Sequence, residues 1–270
     1  MSREIMDVTF VVTKSNAGSR LFETNFAASP CLKEVRPESI IVQDGFPSAA
    51  IAYNDAIEKA GTDLIVFAHQ DVYFPEDWLE NLRRSLQILE SSDPDWGVLG
   101  CWGVKYRGMP GGYLYSVGLG LVGKPFSRPI AIDTLDEFVL ILRKSSQLRF
   151  DPGLPHFHMY GTDICMSARR NGKTCYAIPA FSIHNTSYGP LSREFFQCYR
   201  YMRDKWRDCL PIETPCIRIE RWNQDLLVRR FKHICFRMGG RADAKPFPRI
   251  EDPRSVLRYR KDLEDVVRLP

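Results

Sequence analysis

Three short apolar runs constrain what this chain can fold into more than any other feature. Residues 7–13 (DVTFVVT), 39–43 (SIIVQ) and 63–68 (DLIVFA) are rich in β-branched side chains and do not alternate cleanly with polar ones. That pattern suits strands covered on both faces, as in a parallel sheet flanked by helices, rather than strands with one face in water. Between the second and third runs, residues 47–60 read as a helix, with Gly61 placed just past its cap. Strand, helix, strand in that order predicts an α/β fold on a doubly wound sheet.

The pattern continues down the chain. Pro75 is expected at the first position of a helix whose positive first turn holds Glu76 and Asp77, and Trp78, Leu82, Leu86 and Leu89 recur at helical spacing. Residues 91–96 read as a loop, and the glycine-rich stretch from there to Gly123 as strands joined by tight turns. Residues 137–142 (EFVLIL) predict another buried strand, 163–171 a short helix stopped by Gly172, and 174–184 (TCYAIPAFSIH) one last strand. Further on, Phe195, Tyr199, Met202 and Trp206 share one helical face, and so do Leu227, Phe231, Ile234 and Met238. Two amphipathic helices are therefore expected, with residues 244–253 as a linker to a short last helix. The expected organisation is a domain over residues 1–190 and a helical extension over 191–270.

Composition excludes some classes. With 44% hydrophobic and 26% charged residues, the chain is far from a disordered composition. It has no apolar run near the roughly 18 residues of a membrane span, and its start lacks a basic segment followed by a long apolar one, so a cytoplasmic location is expected. The eight cysteines are scattered without a CxxC pair, and reduced thiols are expected of them. The net charge of +4 hides a basic tail: residues 218–270 carry 14 Lys+Arg against 8 Asp+Glu. Three roles are open to that tail: packing of its apolar helix faces on the domain, peripheral contact with the inner face of a membrane, and a homodimer interface. No nucleic-acid partner is expected.

In an open α/β sheet, ligands sit beyond the carboxyl ends of the strands. Here all three ends are polar: Thr13 to Asn16, then Asp44 and Gly45, then His69, Gln70 and Asp71. No GxGxxG follows the first strand and no GxxxxGK[ST] occurs, which excludes the usual dinucleotide and P-loop phosphate cradles. A diphosphate would have to be held by a divalent cation on hard oxygen ligands, and Asp71 is placed to supply one.

Three stretches, SIIVQDG, YNDAIEKAGTDLIVFAHQDVYFPEDWLENL and YGTDICMSARRNGKTCYAIPAFSIHN, resemble glycosyltransferase family 2 and its relatives on the GT-A fold. The resemblance spans roughly residues 7–190. It implies a Rossmann-like, mostly parallel mixed sheet flanked by helices, and inverting transfer of a sugar from a nucleotide-sugar donor, a UDP- or GDP-sugar, to a glycan or lipid-linked acceptor. Residue by residue, it implies that Asp44 contacts the donor's base or ribose and that Asn54 supports the nucleotide pocket. Thr13, His69 and Gln70 would lie beside the donor, Asp71 would hold Mg²⁺ or Mn²⁺, and Asp163 would be the general base.

The family's DxD motif reads His69-Gln70-Asp71 here, so one carboxylate of the usual pair is missing. By the same resemblance His184, at the end of the last core strand, would be a further metal ligand, and neutral imidazole suits that role. Acceptor binding is expected of Trp102, Asp136, Glu137, His158 and Tyr160, an aromatic face and hydroxyl-accepting carboxylates. Two rival readings remain. One is a non-catalytic nucleotide-sugar or glycan binder on a degenerate GT-A fold; the other is a zinc hydrolase in which His156 and His158 join His184 and Asp163.

Overall fold

The three apolar runs become β1 (Val8–Thr13), β2 (Ile40–Gln43) and β3 (Leu64–His69), parallel to one another in the order β2-β1-β3. In this computed structural model, residues 5–14, 19–186, 191–222, 228, 249–258 and 260 are described. The reason the runs are uninterrupted is visible in their packing. Along β1, Phe10 and Val12 enter one core cluster and Val11 the other; along β3, Val66 and Ala68 enter the first of these and Ile65 and Phe67 the second. Successive side chains point to opposite faces, and both faces are covered.

The sheet extends to seven strands, with β11 (Val139–Arg143) antiparallel between β3 and β5 (Leu99–Gly100), β12 (Cys175–Ala177) parallel to β5, and β9 (Ile130–Ile132) antiparallel at the edge. A second sheet runs β10 (Thr134–Leu135), β6 (Trp102–Val104), β7 (Pro110–Ser116), β13 (Ser182–His184) and β4 (Val72–Tyr73), with β8 (Gly120–Gly123) paired to β7. The single last strand expected over residues 174–184 is thus two strands in two sheets. Pro179 interrupts it: proline has no N–H to continue a ladder, and the chain crosses from one sheet to the other there. Gly112 makes the second sheet possible, because at φ +128° its Cα lies where a Cβ would come within 2.2 Å of the Cys101 carbonyl oxygen.

Helix α1 (Ser19–Thr24) is short, and α2 (Ala49–Lys59) is capped by Ser48, whose hydroxyl accepts from Ile51 N–H. Gly61 follows the end of α2 without the left-handed backbone expected of it, whereas Gly172, past α4 (Tyr160–Arg170), has φ +75°. Helix α3 (Trp78–Ser92) starts three residues after Pro75, with Asp77 as its N-cap, so Pro75 begins the turn that leads into the helix instead of the helix itself. Trp78, Leu82 and Leu89 are buried against the sheet as their spacing requires, with Leu86 half-buried beside them.

In α5 (Arg193–Lys205), Ser192 is the cap, and Phe195, Tyr199 and Met202, with Trp206 just beyond, are buried in the same cluster as Phe67 and Leu140 of the main sheet. Ile212, Ile217 and Ile219 join that cluster. Burying such side chains stabilises the fold by about 1.5–3 kcal/mol each. The second helix expected around Leu227 to Met238 lies outside the described residues, apart from an exposed Val228. Residues 255–258 are helical, and Val256 is buried beside Tyr73 and Phe181.

Candidate functional site

The carboxyl ends of β2, β1 and β3 align by register, with Thr13 opposite both Gln43 and His69. Asp44 follows β2 and is exposed, in a turn that Gly45 completes at φ +76°. Beyond β3 the chain turns through Gln70 and Asp71 into β4, which pairs antiparallel with β13 so that His184 lies opposite Val72. This pairing, between residues more than a hundred apart, carries His184 to Asp71.

Ligand atoms of His69, Asp71 and His184 all lie within 4.8 Å of one another, the one group of this kind among the described residues. His184 Nε2 is 3.5 Å from Asp71 Oδ1 and is buried without a hydrogen-bond partner. A buried ring nitrogen left this way is unusual, and a cation shared with Asp71 satisfies it. Two imidazoles and one carboxylate form a donor set that transition-metal divalent ions accept readily. His69, expected beside the donor, is therefore grouped with Asp71 and His184 as a candidate metal ligand, at the position of the missing carboxylate.

The surroundings orient the ligands. Tyr160 Oη donates to the Glu137 carbonyl at 3.1 Å and lies 2.6 Å from His69 Nε2. A phenol has one proton and a carbonyl can only accept, so the hydroxyl must accept from His69, whose proton is then on Nε2 and whose free lone pair is on Nδ1. This fixed tautomer is the kind of support that metal-bound histidines usually have. Tyr160 thus positions His69, buried inside the molecule, instead of lining an acceptor pocket as expected. Phe138 stacks on His184 with ring centroids 5.1 Å apart.

Charge in the cluster is tightly set. Burial pushes the His69 pKa down, with His184 adding to it, to about 4. Burial alone would raise Asp71, but His184, His69 and Arg249 outweigh it and hold the carboxyl well below the usual range. His184 goes the other way: burial depresses it, and Asp71 more than compensates. At neutral pH, Asp71 is an anion and His69 a neutral imidazole.

Asp136 and Glu137 adjoin this cluster. Together with Met159, Thr162, Phe195, Thr214, Pro215 and Cys216 they line a small cavity. Burial pushes both carboxyls up, and Glu137, beside Asp136, reaches about 8. Glu137 Oε1 accepts from Met159 N–H at 2.9 Å, at the start of α4.

Other expected site residues are committed elsewhere. Asp163 is 1% exposed; Lys205 Nζ reaches its two oxygens at 2.7 and 2.9 Å, and Trp206 Nε1 donates to Oδ1 at 2.7 Å. Burial raises its pKa against the pull of Lys205. In this geometry Asp163 is a brace between α4 and α5 and not a carboxylate open to substrate. Asn54 spends its amide on the Phe150 backbone, donating to the carbonyl at 2.8 Å and accepting from the N–H at 3.0 Å. Trp102 packs half-buried against the core cluster of Phe10 and Val66, and its carbonyl accepts from Asp136 N–H.

The zinc constellation of the rival reading is not assembled. His156 has φ +58°, so HxH is no strand; its ring bonds Gln197, while the His158 ring packs edge-on against Phe195. The seven described cysteines form no disulfide with one another. Sequence reasoning missed Lys205, Asn185 and Arg249, which carry no motif; only proximity to the site reveals them.

A mixed sheet ordered β2-β1-β3-β11 with a metal-ligand cluster at the end of β3 is the architecture of the GT-A fold. The crystal structure of GalNAc-T7 with UDP, GalNAc and Mn²⁺ superposes on 97% of this chain and 55% of its own at a TM-score of 0.53 and 10% identity. The mannosyltransferase PcManGT from Pyrobaculum calidifontis, in complex with GDP-Man and Mn²⁺, overlaps 77% of this chain and 66% of its own at a TM-score of 0.47 and 12% identity. By sequence, a protein described as ATP synthase subunits region ORF 6, from Fuscovulum blasticum, is 26% identical over 154 residues, covering 54% of this chain and 61% of that one. The chain thus spans less than two thirds of GalNAc-T7 and of the curated relative it matches. No family model matches it. Among the described residues, no helix is long and apolar enough to cross a membrane.

Proposed function

We propose that the protein is a metal-assisted glycosyltransferase that uses a nucleotide-sugar donor. The observation that carries this reading is the His69, Asp71 and His184 cluster at the end of β3 on a GT-A fold. GalNAc-T7, on the same fold, holds UDP and Mn²⁺. By analogy the donor is a UDP- or GDP-sugar and the cation Mn²⁺ or Mg²⁺, held by His69 Nδ1, Asp71 and His184 Nε2. A cation there supplies Lewis-acid neutralisation of the leaving diphosphate.

The chain's own residues do the rest. Thr13 and Asp44 border the donor at the ends of β1 and β2. Asp136 and Glu137 share a small cavity, and we assign the acceptor hydroxyl to the pair, whose ionised carboxylate takes the proton, since in-line attack with inversion needs a positioned carboxylate. Asp163 serves as base only if Lys205 releases it, whereas Asp136 and Glu137 carry no ion pair among the described residues and need only lose the proton that burial favours. The acceptor remains a glycan or a lipid-linked one, and the basic tail's contact with a membrane or with a second copy is part of the same proposal. A binding protein without turnover is the second reading, favoured by the commitment of Asp163 to Lys205.

Binding of Mn²⁺ and hydrolysis of UDP- and GDP-sugars, measured on wild type and Asp71→Asn, test the proposal. Metal-dependent hydrolysis lost in Asp71→Asn is the expected result. Metal-dependent binding with no hydrolysis leaves the binding protein, and no binding of metal or nucleotide rejects both readings.

A further inference from the structure

Arg249 comes to the metal site from far along the chain. Its Nη2 is 3.9 Å from Asp71 Oδ2, and its Nε donates to the Asn185 carbonyl at 3.1 Å. The placement is not incidental, because the backbone beside it is clamped. Asn185 is 1% exposed; its Oδ1 accepts from Ile250 N–H at 2.9 Å, and its Nδ2 donates to the Ile250 carbonyl at 2.8 Å and to Asn25 Oδ1 at 3.0 Å. Asn185 N–H in turn donates to the Asp71 carbonyl at 2.8 Å. One buried amide therefore ties the Arg249 segment, the strand end carrying His184 and the main chain of Asp71 into one unit.

The Arg249 side chain is 39% exposed, and at 3.9 Å its approach to Asp71 is an electrostatic contact, too long for a hydrogen bond. A cation parked beside the carboxylate of a metal site works against metal binding unless a further anion joins them. The donor set makes the need specific. His69 and His184 bring no charge when they ligate, so a divalent ion with Asp71 alone keeps one net positive charge. Arg249 adds a second. The diphosphate of a nucleotide sugar carries two negative charges, and pairs of its phosphate oxygens match the planar guanidinium fork.

We propose that Arg249 is a binding residue for the donor diphosphate, gripping the phosphate oxygens across from the metal, so that the segment around residues 249–250 forms one wall of the donor site. The inference rests on the nucleotide-sugar reading of the same site. It also gives Asn185 a role as a positioning residue, since it holds Arg249 at the metal.

Isothermal titration with Mn²⁺ alone, and with UDP and GDP each in the presence of Mn²⁺, on wild type, Arg249→Gln and Arg249→Lys tests it. Expected for Arg249→Gln is nucleotide binding weakened about 10- to 100-fold, with binding of Mn²⁺ alone equal to wild type or tighter. Arg249→Lys should recover part of the loss, because it keeps the charge but not the fork. Wild-type nucleotide affinity in Arg249→Gln overturns the inference, and so does an equal loss of Mn²⁺ binding, which marks a structural role. Wild type that binds Mn²⁺ but neither nucleotide removes the glycosyltransferase reading itself and the inference with it.

Discussion

Replacing Lys205 by Met isolates the brace that holds α5 to α4. In the native protein the Asp163 carboxylate, its side chain 2% exposed, has Lys205 on both oxygens and Trp206 on one. Lys205→Met leaves the carboxylate with Trp206 alone, and breaking a buried pair from one side costs about 3–5 kcal/mol. Protonation limits the loss. An unfolded aspartate has a pKa near 3.9, and forcing the folded one neutral costs about 1.36 kcal/mol per pH unit above that value, hence about 4 kcal/mol at pH 7 and about 1.5 at pH 5. Burial already places the folded pKa above the unfolded one, and loss of Lys205 raises it further. A group raised in this way costs nothing below its unfolded pKa and destabilises increasingly as pH rises. The lost contact of Lys205 with Asp151, whose side chain is 23% exposed, adds at most about 1 kcal/mol at either pH. Urea unfolding of wild type and Lys205→Met from pH 5 to 8, followed by tryptophan fluorescence, should show the penalty growing by about 2–3 kcal/mol over the first two units. Adding Asp163→Asn should remove most of that growth. A penalty that does not change with pH, or one below about 1 kcal/mol at pH 7, would refute the brace.

Tyr160→Phe removes the hydroxyl that fixes the His69 tautomer and should weaken Mn²⁺ binding about 10- to 100-fold with little change in melting temperature; unchanged affinity would mean that His69 is not a ligand through Nδ1. Glu137→Gln should abolish donor turnover while leaving UDP or GDP binding intact, whereas Asp163→Asn should bind the nucleotide and retain activity in proportion to its folded fraction. The opposite pattern returns the proton to Asp163.

Much of the fold follows from local pattern. Continuous β-branched runs could only be strands with both faces covered, so β1, β2 and β3 were legible, and the Phe195, Tyr199, Met202 and Trp206 stripe required a buried helical face. The polar residues at the three strand ends, Asp71 among them, marked one end of the sheet as the site. These readings work because burial imposes a period of 2 or 3.6 on neighbouring residues. What no period encodes is which distant elements meet. The split of residues 174–184 between two sheets, the pairing of β13 with β4 that sets His184 beside Asp71, and the return of Arg249 through Asn185 join residues far apart in the chain. Asp163 shows the limit most plainly: the family resemblance implied a base there, but whether a carboxylate is reactive depends on what stands next to it. Tertiary packing put Lys205 and Trp206 there, and left Asp136 and Glu137 on a small cavity without a cationic partner of that kind.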